Sequence, residues 1–313
     1  MNAPRGLTVI PLLRLNLDAG LSVPFGAEFV LRQTPEWVKR DALIQHLTYS
    51  DQQAVITSQY SFLAEYEANA ISDPHPKSTK EEPRTVQSDK AEAGAMANLA
   101  LWLVQPCAVC YTSVLHGLRH QLPGGASPVP LLQQMETHMP LHCHQDDLEK
   151  QPTVEQIRQA GELFDILRSI SRGNAVWTAM RSVWAALVMP HKDIRYSLFW
   201  IGLEALFGPE NSGSEITYKL SQRIAFLISD EPGHAKEKFR VARECYQTRS
   251  QIAHGRWTND PKTDPRMADT EAIVRASMLR ILQNPDLRAT FCSTGRDRFL
   301  EDMIFNPLWI MKS

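Results

Sequence analysis

Residues 215–255 read EITYKLSQRIAFLISDEPGHAKEKFRVARECYQTRSQIAHG, and their apolar residues recur three and four positions apart. That spacing places the apolar side chains on one face of an α-helix, so the stretch predicts two helices, the second ending at Gly255. The same period recurs in VEQIRQAGELFDILRSI (154–170), AVWTAMRSVWAALVM (175–189), DIRYSLFWIGLEALFG (193–208), DTEAIVRASMLRILQ (269–283) and RDRFLEDMIF (296–305). We therefore predict an all-α helical bundle over residues 153–313.

The first half of the chain has a different character. Residues 7–70 hold β-branched and aromatic stretches separated by glycine, proline and aspartate, which predict strands and turns. The proline-bearing stretches 72–94 and 121–152 predict loops. Other segments predict a short helix (WVKRDALIQHL, 37–47), a longer helix (AMANLALWLVQP, 95–106) and a strand (CAVCYTSVLHGL, 107–118). We predict a mixed α/β domain over residues 1–152 and an α+β protein overall.

The bulk composition narrows the classes of function. A chain of 313 residues is most simply two domains of roughly 150 residues each. Its formal charge of −2 argues against a surface that coats nucleic acid throughout, so a polyanionic partner has to meet a local basic patch. Five cysteines give no disulfide framework. The sequence shows no signal peptide and no membrane span, so we expect a cytoplasmic protein.

Arg249 and His254 are the strongest candidates for chemistry. Arginine only donates hydrogen bonds and stays positive, whereas histidine gains or loses a proton near neutral pH, so the pair suits a reaction at a phosphate. Residues 235–256 hold six Lys or Arg and two Glu, a local balance of +4 that would attract a phosphate. A second pair of similar spacing, Arg40 with His46, shows that spacing alone does not single out this one.

The helical geometry of the pair leaves several arrangements open. On a regular helix a separation of five residues turns two side chains apart by about 140°, so Arg249 and His254 do not share one face. A loosened helix end next to Gly255 would close that gap, and a second copy of the helix across a two-fold axis would assemble two pairs in one cleft. A purely structural alternative makes Arg249 a surface ion-pair partner and His254 a helix cap.

Four blocks of the second half, taken in order, resemble the Apea-like branch of the HEPN superfamily. They are FWIGLEALFG (199–208), EITYKLSQRIAFLIS (215–229), YQTRSQIAHG (246–255) and the two terminal segments quoted above. HEPN domains are α-helical bundles whose defining motif is an arginine, usually followed by a polar residue, with a histidine a few residues on. The motif corresponds here to Arg249, Ser250 and His254, and the resemblance runs over about residues 153–307.

This resemblance implies metal-independent cleavage of RNA by a homodimer. The RNA 2′-hydroxyl attacks the adjacent phosphate and leaves a 2′,3′-cyclic phosphate, which DNA cannot do. In that reaction His254 would shuttle protons, Arg249 would hold and neutralise the phosphorane, and Ser250 would orient either residue. The toxin branch typically has a tyrosine two residues beyond the histidine, where this chain has Arg256, so we do not expect regulation through such a tyrosine.

The expected role is a bacterial antiphage or toxin ribonuclease that needs no cofactor and no metal, with RNA as substrate and no membrane partner. By analogy, residues 1–152 would be a sensor or regulatory module that responds to a phage-derived trigger or a regulatory partner. Two alternatives stay open. One is a catalytically silent HEPN module that binds RNA or a partner protein, and the other is a structural Arg–His pair with the activity in the N-terminal domain.

Further residues complete the candidate site. Glu204 lies within an apolar helix and needs a partner, which would be Arg249 or another helix arginine. An internal ion pair that fixes the bundle is the commoner role for such a carboxylate, ahead of a direct catalytic one. A positive surface for RNA is expected from Arg243, Arg256, Lys219 and Arg223. A solvated helix face would explain the last two residues equally well.

A competing interpretation is a zinc site. Cys107 and Cys110 form a CAVC, and further metal-binding side chains follow at His138, His142, Cys143 and His144. That second group lacks orderly ligand spacing, and CAVCYTSVL is typical of a buried strand, so the sequence favours no metal. We find no glycine-rich phosphate loop, no paired carboxylates at metal spacing and no serine-hydrolase elbow.

Overall fold

The chain divides after Arg168 into two compact units, Met1–Arg168 and Ser169–Ser313. A computed structural model describes residues 5–44, 48–67, 86–111, 113–119, 133–137, 145–209, 216–256 and 263–306. The sheet falls in the first unit and helices make up the second, so the predicted α+β class is confirmed. The division lies further along the chain than the predicted boundary at residue 152, because one helix that we assigned to the bundle belongs to the sheet unit.

An antiparallel sheet organises the N-terminal unit. Its strands are β1 (Arg5–Leu13), β2 (Ser22–Phe25), β3 (Phe29–Gln33), β4 (Tyr60–Glu67), β5 (Cys110–Tyr111), β6 (Ser113–Arg119) and β7 (Gln133–Thr137). They lie in the order β2-β3-β4-β1-β6-β7, and the short β5 also pairs with β1. In this register Val9 stands opposite Leu63 on one neighbour and Leu115 on the other, and all three side chains are buried. All residues of β1 from Leu7 to Leu12 are buried, so this central strand contributes side chains to the interior from both faces of the sheet.

In the described part of this unit the sheet is accompanied by the α-helices α1 (Glu36–Ile44), α2 (Tyr49–Thr57), α3 (Val86–Val104) and α4 (Val154–Ser169). Helix α3 begins within the stretch that we expected to be a loop. Ala91 and Ala93 are buried there, and Asp89 accepts from the Arg168 guanidinium at 2.9 Å. The polar segment is therefore helical because its alanines are buried and its aspartate forms an ion pair with a distant residue. Neither contact can be inferred from the composition of the segment.

Helix α4 is the element whose unit differs from the prediction. It lies so close to the turn between β2 and β3 that a Cβ added at Gly161 would be 2.7 Å from the backbone nitrogen of Gly26. One turn further on, the Asp165 carboxylate accepts the backbone N–H of Ala27 at 2.9 Å. This close approach explains why α4, although amphipathic like the helices that follow it in the sequence, packs on the sheet unit.

The C-terminal unit contains α5 (Ala175–Val188), α6 (Lys192–Phe207), α7 (Ile216–Ile228), α8 (Pro232–Ala253), α9 (Thr263–Gln283), α10 (Pro285–Phe291) and α11 (Arg296–Phe305). Buried aromatic side chains such as Phe199, Trp200 and Phe207 fill its core. The short α10 was not predicted, and it begins where the Asn284 side chain accepts the N–H groups of Asp286 and Leu287. Among the helices described here, none is long and apolar enough to cross a membrane.

Candidate functional site

Arg249 is held by Glu204, which lies on the neighbouring helix α6. Its Nη2 atom donates a hydrogen bond to Glu204 Oε2 at 3.3 Å and lies 3.1 Å from Oε1. Both side chains are partly buried, with 28% of the arginine and 25% of the glutamate exposed. The structure therefore selects Arg249 from the helix arginines that the sequence left open as partners of Glu204. The pair is also the internal ion pair between helices that the sequence favoured for this carboxylate.

The ring of Tyr246 packs against the arginine of this ion pair. The Arg249 guanidinium carbon lies 5.8 Å from the centroid of the Tyr246 ring, and Trp200 meets the same ring edge-on at 5.1 Å. Burial, with a smaller contribution from the Glu204 carboxylate, raises the pKa of Tyr246. The hydroxyl therefore stays protonated at neutral pH. The ring and the carboxylate together restrict where the guanidinium can point.

The sequence did not identify Tyr246 as part of the site. Tyr246 lies on the buried side of α8, together with Ala242 and Cys245. Its position three residues before Arg249 was the available signal, because residues three apart are neighbours on a helix surface. A tyrosine at that spacing offers both an apolar body and a polar tip to the arginine.

His254 caps the C-terminal end of α8 and is exposed to solvent. Its backbone N–H donates to the carbonyls of Ser250 and Gln251, each at 3.2 Å. Gly255 follows with a φ of 68° and donates to the Ile252 carbonyl at 2.9 Å. Arg256 N–H closes the motif on the Gln251 carbonyl at 2.9 Å, which is the pattern of a Schellman cap. The helix end is therefore hydrogen-bonded and closed.

This hydrogen-bonded helix end differs from the loosened end that would bring His254 to Arg249 within one chain. The helix stays regular through Ala253, so the turn of about 140° between Arg249 and His254 is kept. Ser250 lies four residues before His254 and shares its side of the helix, whereas Arg249 faces Glu204. One copy of the chain thus presents an arginine–glutamate half-site and a serine–histidine half-site on different sides of α8.

Three of the four residues expected to bind RNA lie on the surface. Lys219, Arg243 and Arg256 are exposed. Within α8, Arg240 pairs with Glu244 at 2.9 Å, so part of the local positive charge is neutralised. The exposed cations remain compatible with a local basic patch on an otherwise acidic chain.

The prediction for Arg223 is wrong. Its side chain is only 4% exposed, and Nη1 donates to the Phe207 carbonyl at 2.9 Å. Burial lowers the pKa of Arg223, and the Asp297 carboxylate, 3.9 Å away, acts in the opposite direction. This arginine joins α7 to the end of α6 and to α11 inside the bundle, so it is available neither to RNA nor to solvent.

The remaining candidates are the residues of the zinc hypothesis and the second Arg–His pair. Cys107 and Cys110 are buried, while the histidines and Cys143 drawn into the zinc hypothesis lie outside the described residues, as does His46. Among the residues that the structure does describe, no cluster of three or more His, Cys, Asp or Glu side chains could hold a metal ion. The comparisons with known proteins add no family. No protein-family model, curated protein or solved structure matches this chain.

Proposed function

We propose that the protein is a metal-independent endoribonuclease of the HEPN type. The observation that carries this proposal is the pairing of Arg249 with Glu204 beside Tyr246, on the same helix that ends in the exposed, capped His254. A fixed guanidinium can stabilise the charge of a phosphorane, and an exposed imidazole can transfer protons. Arg249 lies on α8 and His254 caps its hydrogen-bonded end, and a site built on a helix is held more precisely than one on a loop.

The proposed reaction needs only the RNA and these side chains. The 2′-hydroxyl oxygen attacks the adjacent phosphorus, the bond from phosphorus to the 5′-oxygen of the next nucleotide breaks, and a 2′,3′-cyclic phosphate remains. An imidazole takes the proton from the 2′-hydroxyl, and an imidazolium delivers a proton to the leaving 5′-oxygen. Arg249 donates to the non-bridging oxygens as their charge grows, and Ser250 lies beside His254 to orient it.

The active form that we propose is a homodimer, because one chain keeps the two half-sites apart. Support comes from α6, which exposes an apolar stripe. Ile194 and Ile201 are each 43% exposed, and the half-buried Leu198 lies between them on the same side of the helix. Glu204 lies one turn from Ile201, so a two-fold contact through this stripe would bring the Arg249 side of one copy towards its partner.

An RNA cleavage assay tests the proposal directly. The chain offers matched controls on α8: the exposed His234 at its start and the surface-paired Arg240. We expect His254→Ala and Arg249→Ala to lose at least a hundredfold in cleavage rate, as removal of an acid–base group or an oxyanion donor typically does. His234→Ala and Arg240→Ala should cleave like the wild type.

Product analysis and chelation complete this test. The fragments should end in a 2′,3′-cyclic phosphate, a substrate with deoxyribose on the 5′ side of the cut should survive, and EDTA should change nothing. Cleavage that persists in both His254→Ala and Arg249→Ala would refute the assignment of the activity to this site. Inhibition by EDTA would refute a metal-independent reaction.

A silent RNA-binding module is the second candidate, and one observation favours it. The Arg249 guanidinium is already engaged by Glu204, and the closed helix end keeps His254 away from it. In that case RNA affinity should be equal in the wild type and in both variants, and no cyclic phosphate should form under any condition. A third arrangement, with activity in the N-terminal unit, predicts cleavage that is indifferent to all substitutions in α8.

The biological role that follows from the proposal is toxicity in the cytoplasm as a defence against phage. The N-terminal unit would then act as the regulatory module that answers a phage-derived trigger or a partner. Expression of the wild type should arrest growth, while His254→Ala should not, at equal protein levels. Equal growth arrest by both proteins would separate toxicity from RNA cleavage.

A further inference from the structure

A surface pocket opens between the first turn of α7 and the middle of α8. It has a volume of about 370 Å³ and is lined by Thr217, Tyr218, Arg243 and Gln247. Pockets that hold small ligands start at about 300 Å³, so this one suits a single nucleotide unit better than a large cofactor. We call it the α7–α8 pocket.

Tyr218 gives the pocket an aromatic wall. Tyr218 is 50% exposed, which is high for a large aromatic side chain. Its ring meets Phe239 edge-on, with centroids 5.2 Å apart and planes at 67°. Phe239 itself is half-buried, so it anchors the tyrosine to the bundle. An aromatic ring that is fixed along one edge and open to solvent elsewhere can stack on a base with little loss of conformational entropy.

Arg243 and Gln247 supply the polar wall. In the part of the chain that the structure describes, no carboxylate pairs with Arg243, whereas Arg240 one turn earlier is taken by Glu244. The Arg243 guanidinium is therefore available for a phosphate or for the face of a base. Gln247 is exposed, and its amide can both donate to and accept from a base edge.

The α7–α8 pocket shares a helix face with His254. Arg243, Gln247, Ser250 and His254 follow one another at spacings of four, three and four residues, which places them in one row along α8. The rise from Gln247 to His254 is about 10 Å. Stacked nucleotides rise by roughly 3.4 Å each, so this distance corresponds to about three nucleotides of a single strand.

We propose that the α7–α8 pocket binds one nucleotide of a single-stranded RNA substrate, a few nucleotides from the phosphate at His254. The base stacks on Tyr218, Gln247 contacts its edge, and Arg243 holds the adjoining phosphate. A strand bound along this row is unpaired at the pocket, because a paired base cannot enter between Tyr218 and Arg243. The inference rests on the proposed nuclease function for the path of the strand from the pocket towards His254. Binding in the pocket does not itself depend on cleavage.

Binding to the full chain carrying His254→Ala tests the pocket without interference from cleavage. The probes are a fluorescein-labelled single-stranded RNA octamer and a DNA octamer of the same sequence. Adding Tyr218→Ala should raise the Kd of both about 5- to 150-fold, because stacking uses no 2′-hydroxyl. Tyr218→Phe should bind like the parent. Tyr49→Ala, which removes a tyrosine that is 76% exposed elsewhere, should leave the Kd unchanged.

The contact of Arg243 with phosphate is tested by salt dependence. Arg243→Ala should reduce the slope of log Kd against log salt by about 0.7 for a single strand. The matched control is Arg298→Ala on α11, whose side chain is 90% exposed and which should leave the slope unchanged. An equal slope in Arg243→Ala and Arg298→Ala would overturn the assigned role of Arg243.

Cleavage by the active chain separates this proposal from the proposed function. Tyr218→Ala should lower kcat/KM for the octamer about tenfold or more, while a dinucleotide too short to reach the pocket should be cut equally by both proteins. If the wild type cuts no RNA but Tyr218→Ala still loses affinity for the octamers, the nuclease proposal fails and the pocket stands. If Tyr218→Ala binds and cuts as well as its parent, or the parent binds neither octamer, the pocket proposal is overturned.

Discussion

The ion pair between Glu204 and Arg249 should couple the two side chains measurably. The perturbation is Glu204→Gln, which keeps the size of the side chain and removes its charge, with Arg249→Gln as the partner change. Distances of 3.1 and 3.3 Å from Nη2 to the two carboxylate oxygens indicate a charge-assisted contact. Loss of either charge leaves the other partly buried, so each single substitution should destabilise the unit.

The size of this coupling follows from distance and exposure. Two unit charges at this separation interact by about 5 kcal/mol at an effective dielectric constant of about 20. Desolvation and solvent screening offset most of that attraction, because each side chain of the pair is about one quarter exposed. Exposed pairs couple by about 0.2–1 kcal/mol. We expect about 1 kcal/mol for Glu204 with Arg249, at the upper end of that range.

A double-mutant cycle measures this coupling. The wild type, Glu204→Gln, Arg249→Gln and the double variant are unfolded in urea, and the coupling is the departure from additivity. The chain offers a matched cycle in Arg298 with Asp302, an i,i+4 pair at 3.9 Å whose side chains are 90% and 68% exposed. That cycle should give a value near zero. A Glu204–Arg249 coupling no larger than that of the control pair would refute the reasoning.

The same variant separates positioning from binding in the proposed cleavage reaction. If Glu204 aims the Arg249 guanidinium at the phosphate, Glu204→Gln should lower kcat by about tenfold and change KM little, because the interaction is made in the transition state. A carboxylate that only stabilises the bundle would leave kcat of the folded variant unchanged. Glu204 is a positioning residue on this account, since it acts through Arg249.

Two further predictions concern packing and assembly. Gly161→Ala should destabilise the N-terminal unit by about 1–3 kcal/mol, since the new Cβ would lie 2.7 Å from the backbone of Gly26, whereas Gly233→Ala, with nothing within 4 Å, should not lower the melting temperature. Equal melting temperatures for both would contradict the close approach of α4. Ile201→Glu should convert the proposed dimer to a monomer in light scattering, while the same change at Phe305, which is 81% exposed on α11, should leave the mass unchanged.

Helical periodicity predicted most of the C-terminal unit because its helices are amphipathic. It failed for helices that depend on a capping residue or on tertiary contacts. Helix α10 has seven residues, too few to show a period, and it exists because Asn284 caps it and Pro285 fits its first turn. Helix α3 extends over a polar segment whose small alanines are buried by the fold. Tertiary contacts, which a period cannot encode, decide both cases.

The candidate site shows the same division between local and long-range information. Lys219 and Arg223 lie four residues apart on α7, so the sequence gives them equivalent positions. Only Lys219 is exposed, because α11 brings Asp297 over the second half of α7 and covers Arg223. In contrast, the requirement that Glu204 have a partner followed from its apolar surroundings, while the choice of Arg249 among several arginines needed the packing of α6 against α8.

In the proposed nuclease, the hydrogen-bonded end of α8 would link oligomeric state to activity. Bringing His254 to Arg249 within one chain would break the bonds that Gly255 and Arg256 donate to the last turn, and each such bond contributes about 0.5–1.5 kcal/mol. In the proposed homodimer, a second copy that approaches along α6 would supply the missing half-site without that cost. Ile201→Glu should therefore abolish cleavage while it leaves the Glu204–Arg249 coupling intact. A fully active monomer would mean that the helix end opens in the reaction and that the two half-sites belong to one chain.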